Sequence, residues 1–482
     1  MNKFMIRYIL GVALAIEGLF MLLPLIVGIV YGESDWIWFL VVSLGAIAVG
    51  ATMSSVHKSK TKHMFAKEGF LVVALSWVVL GLVGALPFYL SGAIPNYINA
   101  LFESISGLTT TGATVIADIE SLSHGMLFWR SLTIWIGGMG ILVFMMAILP
   151  LAGGEQNMHL LRAESPGPMV NKLMPRLSST VKMLYILYIL LSILQFLLLI
   201  CGGMEAFDAI NITFSTAGTG GFAVTNSSMG EYDSYYLRNV VSVFMVLFGT
   251  NFTVFFLLYA KKFKEILHLE ELRWYIVILL STTVMVALNI NHIYGSFYSS
   301  LNYAFFQVSS LMTSTGLYTV NYDLWPEFSR TMLIIVMCIG ACAGSTAGGF
   351  KISRLIILSK YALKSFQRVL HPRNIRSIKM DGKIIGSTTV HDTSSYLSIY
   401  IGLFFVSVII VSLNGFDFFT NFSAVAATFN NAGVGFNMAG PTQNYAKFTV
   451  ISKLVFMVDM LAGRLEIYPI LFLFAPTFWK KL

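Results

Sequence analysis

Long apolar stretches separated by short polar segments run along the whole chain. Stretches such as Phe70–Leu90, Met183–Ile200 and Val241–Leu258 are long enough, or nearly so, to cross a hydrocarbon core of about 30 Å. We count ten such spans, beginning with Tyr8–Val30. No small-residue cleavage signal follows that first stretch, so we expect a retained span and not a removed signal peptide. The pattern predicts an all-α integral membrane protein.

One order of segments occurs four times after two leading spans. An apolar span is followed by a stretch too short to cross a bilayer, then by a glycine-centred polar tract, then by a second span. Non-helical backbone at membrane depth is tolerated only where it lines a wet cavity or is buried in protein. We therefore expect four helix–pore loop–helix repeats around one central pore. The short stretches are Tyr97–Leu108, Ala206–Ala217, Leu301–Met312 and Phe418–Phe429.

The repeats divide the chain into five predicted parts. Residues 1–68 hold the two leading transmembrane helices. The four pore repeats follow as residues 69–178, 179–273, 274–392 and 393–482, and the third contains an intramembrane gate loop.

Composition and charge support a membrane class. The chain is 56% hydrophobic and 11% charged, whereas soluble domains are about one quarter charged. Its three cysteines lie in or beside apolar stretches, so neither a disulfide framework nor a zinc site is expected. The net charge of +8 does not indicate nucleic acid, because most Lys and Arg residues fall in alternate loops. This positive-inside pattern places both termini in the cytoplasm.

The four glycine-centred tracts suit a cation filter. K⁺ gives up hydration water only if fixed oxygens replace it, as rings of backbone carbonyls do. Glycine allows the backbone to turn successive carbonyls inward, and the preceding half-helices point their negative ends at the cation. The predicted filter residues are Thr110, Thr111, Gly112, Gly218, Thr219, Gly220, Ser314, Thr315, Gly316, Asn431, Ala432 and Gly433.

Charged residues lie near each tract on the predicted outer side. Acidic residues there, including Glu103, Asp118 and Asp323, would concentrate cations if they formed a ring at the pore mouth. The alternative is that they are solvated loop charges. One basic residue also opens the second span of each repeat, at Arg130, Arg238, Arg330 and Lys447.

These tracts and the two extra leading spans resemble the Trk/Ktr superfamily of potassium transporters, and specifically its TrkH/TrkG membrane subunits. The resemblance covers essentially the whole chain and implies one filter glycine per repeat. It implies K⁺ as the transported ligand and the only metal, no cofactor in this chain, and the bacterial cytoplasmic (inner) membrane as location. Repeat four departs from the others, with Ala432 in place of Thr. A tract shorter than the TVGYG filter of K⁺ channels implies fewer ordered ion sites.

The second span of repeat three is interrupted by glycines in the segment GACAGSTAGGFK. It resembles the superfamily's intramembrane loop, which hangs beneath the filter and blocks the pathway until it moves. The alternative is a small-residue helix contact of the GxxxG type. The predicted gate residues are Gly340, Gly344, Ser345, Thr346, Gly348, Gly349 and Lys351.

Arg464 lies within the last predicted span. A charge near the bilayer centre costs about 2.5–3.5 kcal/mol and usually faces a water-filled path or a partner. Glu466 is two residues away, so it points to a different helix face. The matching family arginine projects into the pore below the filter as an electrostatic barrier. A snorkelling or interhelical salt-bridged arginine is the alternative.

Partners are suggested by the cytoplasmic side. No nucleotide-binding motif is present in the cytoplasmic segments. The basic segment Lys351–Lys379 could dock a cytosolic regulatory subunit or the headgroups of membrane lipids, although the positive-inside rule alone explains much of it. The resemblance implies a homodimer regulated by a separate nucleotide-binding subunit of the TrkA type.

Channel-like K⁺ uptake is the function that these features favour. A H⁺- or Na⁺-coupled K⁺ symporter is the first alternative, but Asp459 and Glu466 are the only clear carboxylates in an inner-half span. An intramembrane enzyme would need a nucleophile and a base at the same depth. All eight histidines lie in loops or at span ends, so we do not expect an enzyme.

Overall fold

A computed structural model of the protein describes residues 3–55, 66–148, 177–371 and 377–475. Within these residues the fold is helical except for loops and one antiparallel hairpin of Lys379–Met380 with Lys383–Ile384. Several basic residues used for the topology prediction, including Lys58, Arg162 and Lys480, lie outside the described residues.

The leading helices form a hairpin. The first runs through Lys3–Phe20 and Leu22–Val30, and the second is Trp36–Ser55. Ser43 Oγ donates a hydrogen bond of 2.7 Å to the Gly18 carbonyl and so links the two. Leucine, isoleucine and valine side chains of both helices are exposed on the outer surface, as expected of a face that contacts lipid.

Each repeat contains a first helix, a short pore helix and an inner helix. The first helices are Ala66–Gly84 with Leu86–Leu90, Leu177–Cys201, Glu270–Tyr294 and Ser387–Val411. The pore helices are Tyr97–Leu108, Ala206–Gly218, Phe297–Met312 and Phe418–Phe429. The inner helices are His124–Ile148, Tyr235–Phe248 with Thr253–Tyr259, Glu327–Ile339 with Ile352–Leu370, and Val450–Arg464 with Tyr468–Phe474.

Two pore helices begin at side-chain caps that satisfy their first free N–H groups. Asn96 Oδ1 accepts a hydrogen bond of 2.9 Å from the Ile98 N–H. Asp417 Oδ2 accepts one of 3.0 Å from the Thr420 N–H. These caps explain why such short helices start where the sequence predicts.

The sequence predicts ten uninterrupted spans, but most of the inner helices are bent or broken. In the described residues, six helices are long and apolar enough to cross a membrane without interruption, and they are the leading pair and the four first helices. The inner helix of repeat two bends by 97° between its two parts. Those of repeats three and four are broken at residues 340–351 and 465–467. Within the described ranges, His124–Ile148 of repeat one is the one inner helix without a break.

Candidate ion pathway

The same backbone pattern ends all four pore helices. We define the glycine tracts as residues 109–113, 218–222, 313–317 and 430–434. In each tract one N–H donates to the carbonyl five residues earlier at 2.7–2.9 Å, which is the closing bond of a Schellman helix end. The four bonds are Thr111 to Ser106, Gly220 to Ser215, Thr315 to Ser310 and Ala432 to Ala427.

Two residues in each tract have left-handed backbone. The first has φ of 54° to 57° and is Thr110, Thr219, Ser314 or Asn431. The second is a glycine two positions later with φ of 71° to 78°, where a side chain would be strained. The four glycines are Gly112, Gly221, Gly316 and Gly433.

This geometry corrects the predicted register in repeat two. Gly220 does not have a positive φ, and Gly221 occupies the position equivalent to Gly112. Gly220 is instead equivalent to Thr111, Thr315 and Ala432. The filter prediction was therefore shifted by one residue in this tract alone.

The four tracts surround a common axis. A Cβ built on Gly112 would overlap the carbonyl oxygen of Gly220, so the first tract faces the second. The other three glycines face the next tract in the same way, and the circle closes. The remaining pairs are Gly221 with the Thr315 oxygen, Gly316 with the Ala432 oxygen, and Gly433 with the Thr111 oxygen.

Buried side chains brace the tracts from behind. Asn431 Nδ2 donates to Thr111 Oγ1 at 2.9 Å and so joins repeat four to repeat one. The Thr313 and Thr315 hydroxyls are hydrogen-bonded at 2.8 Å. Because these side chains make hydrogen bonds, the tract carbonyls keep a fixed geometry around the axis.

A vestibule opens beside the ring and is lined by all four glycines. None of its described lining residues is acidic. This lining does not support a ring of carboxylates at the pore mouth, because several of these acids bind basic residues near the starts of the inner helices. The pairs are Glu103 with Arg130 at 2.9 Å, Asp233 with Arg238 at 3.1 Å and Asp323 with Arg330 at 2.9 Å.

Repeat four uses a different basic residue from the one expected. Lys447 lies in the turn Tyr445–Lys447 before the inner helix. Lys453 lies at the fourth helical position, as Arg238 and Arg330 do. Its Nζ donates to Asn99 Oδ1 at 3.0 Å, so this lysine makes a neutral contact and not an ion pair.

The intramembrane loop, defined as residues 340–351, separates Glu327–Ile339 from Ile352–Leu370. Positive φ values occur at Gly340, Gly344, Gly349 and Lys351. The segment is not a helix, which excludes the alternative of a GxxxG helix contact. Ser345 Oγ donates to the Cys342 carbonyl at 2.7 Å and stabilises a turn inside the loop.

The loop lies under the ring of tracts. The Gly348 N–H donates to Ser314 Oγ at 2.6 Å, and a Cβ on Gly348 would overlap the Asn430 carbonyl oxygen. The Cys342 N–H donates to the Gly249 carbonyl at 3.1 Å. Repeats two, three and four therefore all contact the loop beneath their tracts.

Arg464 joins the loop to repeat one. Nη1 donates to the Thr346 carbonyl at 2.6 Å and Nη2 to the Gly137 carbonyl at 2.7 Å. The residue is 7% exposed and ends the helix Val450–Arg464. Snorkelling to the membrane surface does not fit these contacts.

Glu466 binds elsewhere, as its position two residues from Arg464 predicts. It accepts a hydrogen bond from Arg354 Nη2, whose guanidinium lies 4.0 Å from the centre of the Tyr396 ring. Lys351, the last residue of the loop, donates from Nζ to the Ala347 carbonyl. Basic side chains thus lie at the end of the loop where the helix Ile352–Leu370 begins.

Glu271 is a residue that the sequence analysis missed. It is 2% exposed, and Oε1 accepts a hydrogen bond of 2.6 Å from the Ala343 N–H in the loop. The available signal was an acidic residue next to the apolar part of a first helix. Its neighbour Glu270 accepts a hydrogen bond from Lys360 instead.

Comparison with known proteins gives a consistent family. Residues 39–481 match the family model TrkH, described as a cation transport protein. The chain is 38% identical to the Trk system potassium uptake protein TrkH of Salmonella typhimurium, over 96% of each chain. It is 36% identical to the protein of that name from Vibrio parahaemolyticus, over 98% of each chain.

A solved structure agrees along the whole length. The crystal structure of the potassium transporter TrkH from Vibrio parahaemolyticus superimposes with a TM-score of 0.88 at 34% identity, and all of both chains is covered. The chain therefore belongs to the TrkH family of cation transport proteins.

Proposed function

We propose that this protein takes up K⁺ across the cytoplasmic membrane through a gated, channel-like pore. The observation that carries the proposal is the closed circle in which each positive-φ glycine faces the carbonyl of the next tract. Fixed carbonyl oxygens around one axis can replace the hydration shell of a monovalent cation. The family's potassium uptake proteins support K⁺ as that cation.

Filter residues follow from the corrected register. Carbonyl oxygens of the tracts bind the ion, and the glycines let the tracts approach closely enough to do so. All the filter residues predicted from the sequence are kept, and Gly221 is added as the positive-φ glycine of repeat two. The set is Thr110, Thr111, Gly112, Gly218, Thr219, Gly220, Gly221, Ser314, Thr315, Gly316, Asn431, Ala432 and Gly433.

The intramembrane loop is the proposed gate. It is held under the tracts by Ser314, Arg464 and Glu271, so a cation leaving the ring toward the cytoplasm meets backbone and a guanidinium charge. Opening requires the loop to leave these partners. Arg464 acts both as an electrostatic barrier and as a latch on Thr346.

Assembly and orientation form part of the proposal. We infer an inner-membrane homodimer with both termini in the cytoplasm, whose gate is moved by a cytosolic nucleotide-binding subunit of the TrkA type. The distribution of basic residues supports the orientation. The names of the relatives, which describe a Trk system, support a multi-subunit assembly. We propose no cofactor in this chain and no enzymatic activity.

Rubidium flux into liposomes tests the proposed function. The purified protein is reconstituted into liposomes with a higher K⁺ concentration inside than outside. This outward K⁺ gradient drives ⁸⁶Rb⁺ inward, and uptake is followed with and without external Na⁺. We expect uptake that reverses sign with the K⁺ gradient alone and is weakly inhibited by Na⁺. Uptake that requires an imposed H⁺ or Na⁺ gradient would contradict channel-like permeation and support the symporter.

A further inference from the structure

A partly open cavity lies between the first leading helix and repeat one, outside the ion pathway. Aliphatic and aromatic side chains form most of its wall. The indoles of Trp77 and Trp129 line it, and Trp129 is held in place by a hydrogen bond of 3.0 Å from Nε1 to the Gly84 carbonyl. A mostly apolar wall with few polar groups is the usual lining of a small-ligand site.

Glu17 is the one ionisable side chain among the described lining residues. It lies near the middle of the apolar span Lys3–Val30 and is 6% exposed. Within the described part of the chain, neither carboxylate oxygen has a hydrogen-bond partner, and neither does Trp77 Nε1. A buried polar group without a partner costs free energy, so these atoms point to a ligand that completes their hydrogen bonds.

The wall chemistry selects the class of ligand. A bare K⁺ ion needs a shell of several oxygens, and one carboxylate among apolar side chains does not supply it. An organic ammonium group satisfies a carboxylate by a charge-assisted hydrogen bond. Aromatic rings also attract ammonium groups through cation–π contacts, and the apolar wall fits a hydrocarbon body.

We propose that this cavity, with Glu17 as its anchor, is a binding site for a small hydrophobic ammonium compound. The site also touches the gate machinery. Gly137 lines the cavity, and its carbonyl accepts the hydrogen bond from Arg464 Nη2. An occupant therefore contacts a residue whose carbonyl helps to hold the intramembrane loop.

Direct binding of n-octylammonium tests the site. The full chain is placed in lipid nanodiscs, tritiated octylamine is added at neutral pH, and bound label is measured by scintillation proximity with empty nanodiscs subtracted. The variants are Glu17→Gln, which removes the charge at constant shape, and Ala13→Leu, which fills part of the cavity and keeps Glu17. Asp459→Asn, which neutralises another buried membrane carboxylate, is the matched control.

We expect saturable binding to the wild type and to Asp459→Asn, and a loss of affinity of about tenfold or more in Glu17→Gln and Ala13→Leu. Unlabelled octylamine should displace the label, whereas n-octanol should not. Binding to Glu17→Gln within about twofold of the wild type would overturn the proposal. So would the absence of saturable binding, or equal displacement by n-octanol.

Discussion

The outer and inner halves of the pore follow different rules. In the outer half, four unlike sequences adopt one backbone, with the same helix-ending hydrogen bond and the same two positive φ positions. In the inner half, the four helices differ. One is continuous, one bends by 97°, one is opened by the intramembrane loop, and one breaks where Glu466 and Ile467 have φ of 61° and 66°.

In the proposed function, this contrast separates the residues that coordinate the ion from those that gate the pore. An ion on the axis needs comparable oxygens from every side, so the tracts keep one geometry although their side chains differ. A gate needs one movable element, and in the proposed function this element is the intramembrane loop of repeat three. Its partners are correspondingly unlike one another, since they include a serine hydroxyl, backbone carbonyls, a carboxylate and a guanidinium.

The largest effect is expected from a variant that tests whether Gly221 is the repeat-two equivalent of the other three tract glycines. Gly221→Ala places a methyl group against the Thr315 carbonyl in left-handed backbone, a strain of about 1–3 kcal/mol before any overlap. We expect ⁸⁶Rb⁺ uptake in liposomes to fall by more than about tenfold. Gly220→Ala is the matched variant, because the atoms nearest to its methyl group belong to the Ile134 side chain, at 2.7–3.0 Å, and not to another tract. A greater loss in Gly220→Ala would restore the register predicted from the sequence.

The pore helices and their glycine tracts show which features the sequence can predict and which it cannot. Two pore helices, Tyr97–Leu108 and Phe418–Phe429, have the predicted bounds, because a short apolar stretch ending at a polar, glycine-containing tract is a local signal. The tract of repeat two contains three glycines close together. Composition cannot say which of them has the positive φ, since that depends on the hydrogen bond from Gly220 to Ser215.

The inner half was less predictable because its contacts are long-range. Arg464 and Gly137 are 327 residues apart, and Ala343 and Glu271 are 72 apart. The glycines of repeat three predicted that its inner helix is broken. The isolated charge of Arg464 predicted that this residue faces the pore or a partner. The sequence does not predict which residues they contact, or that Glu271 binds the loop.

The next prediction asks whether Arg464 is a barrier or a latch. Arg464→Ala removes both the charge and the hydrogen bonds to carbonyls, those to Thr346 and Gly137 each worth about 1.5–3 kcal/mol for a charged donor, so ⁸⁶Rb⁺ flux should rise by about tenfold or more. Arg464→Lys keeps the charge but cannot bridge Thr346 and Gly137 as a guanidinium does. We expect an intermediate rise for a latch and wild-type flux for a pure barrier. Unchanged or lower flux in Arg464→Ala would exclude both roles.

A smaller effect is expected at Glu271. Glu271→Gln keeps an acceptor for the Ala343 N–H but removes the negative charge, which weakens the hydrogen bond by about 1 kcal/mol. Loosening the loop should raise ⁸⁶Rb⁺ flux by about threefold to fivefold at equal protein amount. Glu270→Gln is the control, because Glu270 binds Lys360 and not the loop. Equal flux in the two variants would show that Glu271 does not hold the gate.

The smallest effect is expected from removing the side-chain caps of two pore helices, Asp417 and Asn96. Burial would raise the pKa of Asp417, but hydrogen bonds from Thr420 and Asn437 outweigh it and lower that pKa below the ordinary 3.8. Ionised Asp417 therefore stabilises the folded protein fully above pH 3.8, and the contribution is lost as the pH falls through the lower, folded-state pKa. We expect Asp417→Ala to cost about 0.5–2 kcal/mol at pH 6, measured as a lower unfolding temperature in detergent, and this difference from the wild type should shrink below pH 3.8. Asn96→Ala removes a cap that does not titrate, so its deficit should stay constant over the same range. A pH-independent deficit in Asp417→Ala would mean that the charge of this cap adds nothing, and that the two helices are capped alike in spite of their different residues.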